Sequence, residues 1–524
     1  MGRKPALKYQ GGTLLLHPPP KWKRLLDFAT WDDRVEQYRI PAIAYRPVVE
    51  SLWAEKIDFI DEAAAFVPLE LQSKLEMPPY PHQEEALLAW KQANRRGVVV
   101  LPTAAGKTYL AQLAIESTPR STMVVVPTLD LMHQWYAHLV AAFPDAEVGL
   151  LGGGSRDKTQ ILIATYDSAA INAEALGNRY AAIVFDECHH LPTDFYRIIA
   201  ECSIAPYRLG LSATPERSDG KHTELNYLIG PEVYRKTAAE LAGAALAHHD
   251  VIQIKVHLSE KERQRYRELI NLRNQFLRQS RISLGSLEGW QKFVQLSARS
   301  AVGRTAMLAH REAKEIALGT EGKIRVLADL LVQHYPDQTL IFTADNATVY
   351  RISQTFLIPA ITHQTPIKER HQILQKFRSG DYKTLIASHV LNEGVDVPDA
   401  RIAILLSGTG SPREYIQRLG RVLRRGSDAD KQAILYEVIA ADTTEESTSS
   451  RRRGKQHPQK PPLSIAPEPS EINPTAPPAP TPLYGVGKSP IKLAAEKAVE
   501  WGTSPAENPP SNGIDDDEIY SEFK

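Results

Sequence analysis

Cysteine is almost missing from this chain: Cys188 and Cys202 are the only two in 524 residues. Two thiols cannot build a disulfide framework or a metal site with C-x-x-C spacing, so a reducing cytoplasm is the expected address. Long apolar runs are missing as well. No stretch approaches the ~18 consecutive apolar residues of a membrane span, and no apolar signal core opens the chain, so no membrane partner is expected. Net charge is absent too, with 62 basic against 62 acidic residues. That balance excludes a uniformly basic coat for nucleic acid, and any such surface must be local. What is present is length and a core: 43% of residues are hydrophobic, and at ~100–200 residues per domain the chain has room for three or four.

Between residues 97 and 212, short runs rich in branched apolar side chains alternate with helix-length segments. Val98 to Leu101, Thr122 to Val126, Ile161 to Ala164, Ala182 to Phe185 and Leu209 to Leu211 read as buried parallel strands. The pattern restarts at Val251 to Val256 and continues with Leu340 to Thr343, Thr384 to Ala387, Ile402 to Leu406 and Ala433 to Val438. Two α/β units therefore follow one another. The restart is interrupted over about 257–320 by a strandless stretch that opens with Ser259 and Glu262 at capping-box spacing and reads as a helical insertion. From Lys255 to Leu318 it holds 13 Lys or Arg against 6 Asp or Glu. A solvated helical face and a phosphate contact are both compatible with that imbalance. Finally, 14 of the 37 prolines fall within 443–524, a composition too poor in branched apolar residues to offset its ordering entropy, so this segment is expected to be a disordered tail.

The chemistry begins after the first strand, at Leu101-Pro-Thr-Ala-Ala-Gly-Lys-Thr108. A loop ending in Gly-Lys-Thr and opening a helix is where a nucleotide's phosphates would sit. Amides of Thr103, Ala104, Ala105 and Gly106 point at the anion, Lys107 reaches the β- and γ-phosphates, and the Thr108 hydroxyl takes a place on Mg²⁺. Leu101 and Ala104 stand where the usual loop has glycine, so an ordinary strand-to-helix turn is a real alternative on this string alone. The strand Ala182-Ile-Val-Phe then delivers Asp186 and Glu187 at its C-terminal end, the carboxylate pair a nucleotide hydrolase needs. Asp186 holds Mg²⁺ through its water shell, and Glu187 orients and deprotonates the attacking water. Two exposed acids at a strand end would be the bland alternative. Cys188, His189 and His190 are adjacent on the chain and cannot all face one metal ion.

With these residues in place the chain resembles the DExH group of superfamily II helicases. Tyr80-Pro-His-Gln83 is similar to the upstream glutamine motif, which implies that Gln83 reads adenine. Pro127-Thr128 resembles the motif that grips a backbone phosphate, and Thr165-Tyr166 its later counterpart. His189 belongs with the carboxylate motif, and Ser212-Ala-Thr214 resembles the one coupling hydrolysis to nucleic-acid contact. In the second unit, Asn392-Glu-Gly-Val-Asp-Val-Pro398 resembles the fifth motif, with Gly394 on nucleic acid and Asp396 at the nucleotide. Gln417-Arg-Leu-Gly-Arg-Val-Leu-Arg424 matches the sixth. The resemblance implies that Gln417 couples the two sites and that Arg421 and Arg424 reach ATP from the opposite domain. Each string is short, but eight stand in register across about 340 residues.

Within that superfamily the chain resembles the XPB-type helicases. Phe28-Ala-Thr-Trp-Asp-Asp-Arg34, Tyr38 to Tyr45 and Asp58 to Glu62 are similar to the family's small N-terminal damage-recognition domain. Arg217-Ser218-Asp219-Gly220 falls where the family has an Arg-Glu-Asp loop used in strand separation, with serine in place of glutamate. The basic insertion falls near the family's thumb. The expected architecture is α/β: two tandem RecA-like domains of parallel sheets (73–250 and 251–442), a helical insertion, a small N-terminal domain (1–72) and a disordered tail (443–524). The expected activity is ATP hydrolysis with Mg²⁺ driving movement along DNA, 3′ to 5′, in repair or remodelling. RNA stays open as the track, because phosphate-gripping motifs do not read the sugar. A duplex translocase in a restriction or repair complex and a scaffold that has lost catalysis are the rival readings. Either a nuclease or a repair protein would then be a partner.

Overall fold

The structure is a computed structural model that describes residues 4–17, 29–34, 36–74, 78–217, 219–241, 248–284, 287–335, 337–388, 400–407, 432–453 and 463–465. Its centre is two α/β layers. The first is an eight-stranded sheet in the order Glu232–Arg235, Arg96–Val100, Tyr207–Ser212, Ala182–Phe185, Thr122–Val126, Ile161–Thr165, Val148–Gly152, Ser155–Arg156. Neighbours run parallel except at the last pair. Val124, Val125, Ile161, Ile163 and Phe185 are fully buried, as strands covered on both faces require. Because every parallel strand points the same way, the loops after Val100, Val126, Thr165, Phe185 and Ser212 open on one edge, where open α/β sheets carry their ligands.

The second sheet is seven-stranded and parallel, in the order Ala360–Ile361, Thr384–Ala387, Thr339–Phe342, Ile402–Leu405, Gln432–Ala440, His248–Val256, Leu463–Ile465. The insertion is helical as expected: Glu260–Gln279, Leu287–Ala298 and Ala301–Gly319. Ser259 and Glu262 close a reciprocal capping box at its start. Tyr266 and Leu269 pack against Ala309 and Ala313 of the third helix, giving this arm a small core of its own.

The N-terminal unit is a five-stranded sheet backed by the helix Tyr45–Ala54, with Leu7, Leu14, Leu16, Ile40, Val48 and Leu52 inside. Ile204 of the first α/β unit joins that core. Tyr9 Oη donates to the carbonyls of Glu174 and Cys202 at 2.8 and 2.9 Å, and Arg46 to that of Asn94 at 2.6 Å. The small domain is therefore bolted to the flank of the first sheet.

Two short elements lie within the segment expected to be a tail from residue 443. A helix, Thr444–Arg453, folds back onto the second unit, and Leu463–Ile465 adds a parallel strand beside Ile254–Val256. Lys323 and Glu445 are 1% and 2% exposed and pair at 2.6 Å. Lys323 Nζ also donates to the carbonyl of Leu406, and Glu445 accepts from the amide of Ala440. Polar composition hid this helix, because a buried ion pair rather than an apolar stripe holds it.

Candidate nucleotide and nucleic-acid site

The turn after Val100 runs straight into the helix Lys107–Glu116. Its first amides have no acceptor within the helix, and the positive end of its dipole faces the loop. Gly106, at φ 76°, is left-handed, and a Cβ there would collide with Nε2 of Gln83. Ala104 is left-handed as well, at φ 71°. The glycine expected at this position is thus replaced without a change of backbone, at a strain of about 1–2 kcal/mol for a residue bearing a Cβ. Ala104→Gly should consequently keep hydrolysis and raise stability by about 1 kcal/mol, read from a denaturant midpoint. An inactive Ala104→Gly beside an active Lys107→Ala would overturn the assignment of the phosphate loop.

Gln83 is more constrained than the sequence suggests. Its Oε1 accepts from the amide of Tyr80 at 2.9 Å, while Nε2 donates to the carbonyls of Ala105 and Gly106 at 3.3 and 3.2 Å. His82 Nε2 meets the same Ala105 carbonyl at 2.8 Å. The glutamine motif is thereby clamped to the outside of the phosphate loop. Among the described residues Thr103 Oγ1 is buried in the loop with no hydrogen-bond partner.

Asp186 and Glu187 arrive opposite, where the strand Ala182–Phe185 ends. Asp186 is buried; Trp135 Nε1 donates to its Oδ2 at 2.9 Å and the amide of Glu187 to its Oδ1 at 3.0 Å. Burial, then the neighbouring Glu187 charge, pushes its carboxyl above the usual range. Glu187 takes a left-handed backbone, φ 45°, which turns its carboxylate toward Lys107 Nζ at 3.7 Å and His189 Nδ1 at 3.4 Å. The two carboxylates and the Lys107 ammonium therefore lie together at the end of this strand. Thr108 sits in the first turn of the helix across from them.

From Glu187 a polar chain leads outward. His189, buried, meets Ser212 Oγ at 3.1 Å, and Ser212 Oγ accepts from the amide of Thr214 at 3.2 Å. Arg217 donates to the carbonyl of His189 at 2.8 Å and forks onto Asp219 at 2.9 and 2.6 Å. The loop replacing Arg-Glu-Asp is thus hydrogen-bonded to the carboxylate motif, although Ser218 itself lies outside the described residues. At the other strand ends, Pro127 leads to Thr128, whose hydroxyl caps Leu129–Ala142, and Thr165 caps Tyr166–Ile171 in the same way. Beside them Gly152, Gly153 and Gly154 all have positive φ, and a Cβ on the first two would press on Thr165 and Leu129. Sequence reading missed this glycine turn, along with Trp135; Tyr166, named there only as part of Thr165-Tyr166, donates its hydroxyl to the Asp186 carbonyl at 3.0 Å. The triple glycine was the available signal; nothing flags Trp135 beyond its place in a helix. Gly394, Asp396, Gln417, Arg421 and Arg424 fall outside the described residues. Among the described residues no His, Cys, Asp and Glu cluster could hold a metal by itself.

Three family models match the chain: the xeroderma pigmentosum group B helicase damage recognition domain over residues 7–63, the type III restriction enzyme res subunit over 76–217 and the helicase conserved C-terminal domain over 322–426. A Sulfurisphaera tokodaii protein described as a DNA 3′-5′ translocase, XPB2, is 41% identical over 424 residues, 81% of this chain and 95% of the relative. The chain belongs to the XPB family. A Mycobacterium tuberculosis relative described as the DNA 3′-5′ helicase XPB is 28% identical and matches 69% of this chain, which spans only 60% of that protein's length. Among solved structures, the Hef helicase domain of Pyrococcus furiosus shares the fold with a TM-score of 0.51 at 17% identity, covering 71% of this chain and 97% of that one. As an XPB-family protein the chain is a superfamily II, ATP-using enzyme, and no helix among the described residues is long and apolar enough to cross a membrane.

Proposed function

We propose that this XPB-family chain is an ATP-driven motor that moves 3′ to 5′ along DNA. The observation that carries the proposal is the unbroken path from the phosphate loop to the loop proposed to face DNA: Lys107, Glu187, His189 and Arg217 are linked in turn by contacts of 3.7, 3.4 and 2.8 Å, with Ser212 branching from His189 at 3.1 Å. Lys107 and the loop amides hold the phosphates, and Glu187 takes the proton of the attacking water. Bound between Asp186 and Thr108, Mg²⁺ would screen charge on the phosphates. Arg421 and Arg424 are proposed to reach the γ-phosphate on domain closure, so that hydrolysis and domain spacing change together. Pro127, Thr128, Thr165, Gly394 and Gln417 are proposed to grip the strand backbone. A cytoplasmic address and a role beside a repair protein or nuclease complete the reading. The test is displacement of streptavidin from biotinylated DNA. ATP-dependent release should be faster from a 5′ end than from a 3′ end, and the opposite order would refute the polarity.

Serine at 218 favours a motor that translocates better than it separates strands, because the loop lacks the family's central acid. Strand displacement should then lag behind streptavidin release on the same protein. Equal efficiency in both assays would remove this second reading.

The insertion is proposed to hold the strand between steps. Arg265 is engaged by Glu312, and Arg263 by Glu260 and the carbonyl of Leu258, whereas Arg267 and Arg278 are exposed on the long first helix. Neutralising Arg267 and Arg278 together should make the slope of log K against log salt shallower by about 1–2. An unchanged slope in a salt titration of DNA binding would mean a solvated face.

A further inference from the structure

Opposite charges meet between the two RecA-like domains. Arg370 Nη1 of the second domain donates to Asp130 Oδ2 of the first at 2.8 Å, with the side chains 14% and 25% exposed. Asp130 lies two residues past Thr128, in the first turn of the helix that Thr128 caps. It therefore occupies the helix end proposed above to face a backbone phosphate. Arg370 lies in the first turn of Ile367–Ser379, where a helix dipole disfavours a cation. Its own domain offers it a carbonyl, that of Thr365 at 3.3 Å, and its Nε is buried with no hydrogen-bond partner. Asp130 is the one carboxylate within ion-pair distance of this guanidinium among the described residues.

A charged, partly buried, planar guanidinium with an unused N–H is set up for an anion with two oxygens to offer. A carboxylate and the two non-bridging oxygens of a backbone phosphate both suit the fork. We propose that Arg370 is a DNA-phosphate ligand and that Asp130 is its internal stand-in, holding the guanidinium until a strand arrives. An incoming phosphate displaces Asp130, because the two anions compete for one cation and repel each other at one helix end. The exchange also releases the link between the domains, which frees them to close on ATP. Binding of DNA and release of the domain pair thus become one event. The inference rests on the DNA-motor reading.

The competition makes a directional forecast that a plain clamp does not. The probe is fluorescence anisotropy of a labelled single-stranded oligonucleotide with the full chain at one stated salt concentration. Asp130→Asn should bind DNA about 3-fold more tightly, the size expected for loss of a part-exposed pair. Arg370→Gln should bind about 3- to 10-fold more weakly, with the salt slope shallower by about 1. In the double variant the gain from Asp130→Asn should vanish, leaving the affinity of Arg370→Gln alone. If both single variants weaken binding, the pair is only a clamp and the proposal fails. If the gain persists in the double variant, Asp130 acts through its own charge and not through Arg370, and the proposal again fails. Thermal melts accompany each variant, and Asp130→Ser replaces Asp130→Asn should the latter not fold. DNA-independent hydrolysis by the unmodified protein would instead sink the motor reading, which keeps the two failures apart.

Discussion

Glu187→Gln is expected to cut ATP hydrolysis by ~10²-fold or more while ATP still binds. Glutamine keeps the length and shape of the side chain but cannot accept the proton of the attacking water. The phosphate loop stays intact, since its conformation is fixed by Gly106, Ala104 and the clamp from Gln83 and His82 rather than by Glu187. The left-handed backbone at Glu187 survives too, being set by the turn into Cys188–His190. Single-turnover hydrolysis beside nucleotide binding separates the two effects. Lys107→Ala should differ, losing both nucleotide affinity and turnover, because the ammonium touches phosphate before and during the reaction. Hydrolysis near the unmodified rate in Glu187→Gln would show that the base lies elsewhere.

Removal of the chain after residue 442 should destabilise the second RecA-like domain by about 3–5 kcal/mol, the cost of stranding one member of a buried ion pair. Lys323 would lose both of its hydrogen bonds to the Glu445 carboxylate, at 2.8 and 2.6 Å. Glu437, fully buried, would lose Ser449, whose hydroxyl donates to it at 2.7 Å. Glu445→Ala alone should account for most of the loss. A cut after Ile465 should leave stability and DNA-stimulated hydrolysis close to those of the full chain, since it spares the helix and the added strand. Urea unfolding of the full chain, the two truncations and Glu445→Ala decides the matter. Equal midpoints for the cut after 442 and the full chain would show that the pair contributes nothing net.

That boundary illustrates where the sequence was legible. Strands such as Thr122–Val126 and Thr384–Ala387 could be read to the residue, because buried parallel strands need unbroken apolar runs and these have them. The strand Tyr207–Ser212 reads from pattern only as Leu209 to Leu211, because the apolar run is bounded by Arg208 and Ser212. In the fold Arg208 is 1% exposed and donates to the carbonyls of Ser203, Ala205 and Leu228. A buried charge satisfied by carbonyls leaves no apolar pattern to read, and the helix at 444–453, held by a buried ion pair, leaves none either. The candidate site was more legible than the fold around it, since its residues cluster in short strings at strand ends. Trp135 and the Arg370–Asp130 pair were not, because each depends on a contact between separate elements. Ala104 is an instructive middle case: the missing glycine looked like a departure, yet its left-handed backbone is what a glycine there would adopt.

The central claim, a motor whose ATP site answers to DNA, is tested most directly by steady-state hydrolysis at one stated salt concentration, without nucleic acid and with single-stranded DNA, duplex DNA or RNA. The path from Glu187 through His189 to Arg217 predicts that DNA raises the rate and that Lys107→Ala abolishes it with or without DNA. A rate indifferent to DNA, or one raised by RNA alone, would contradict it.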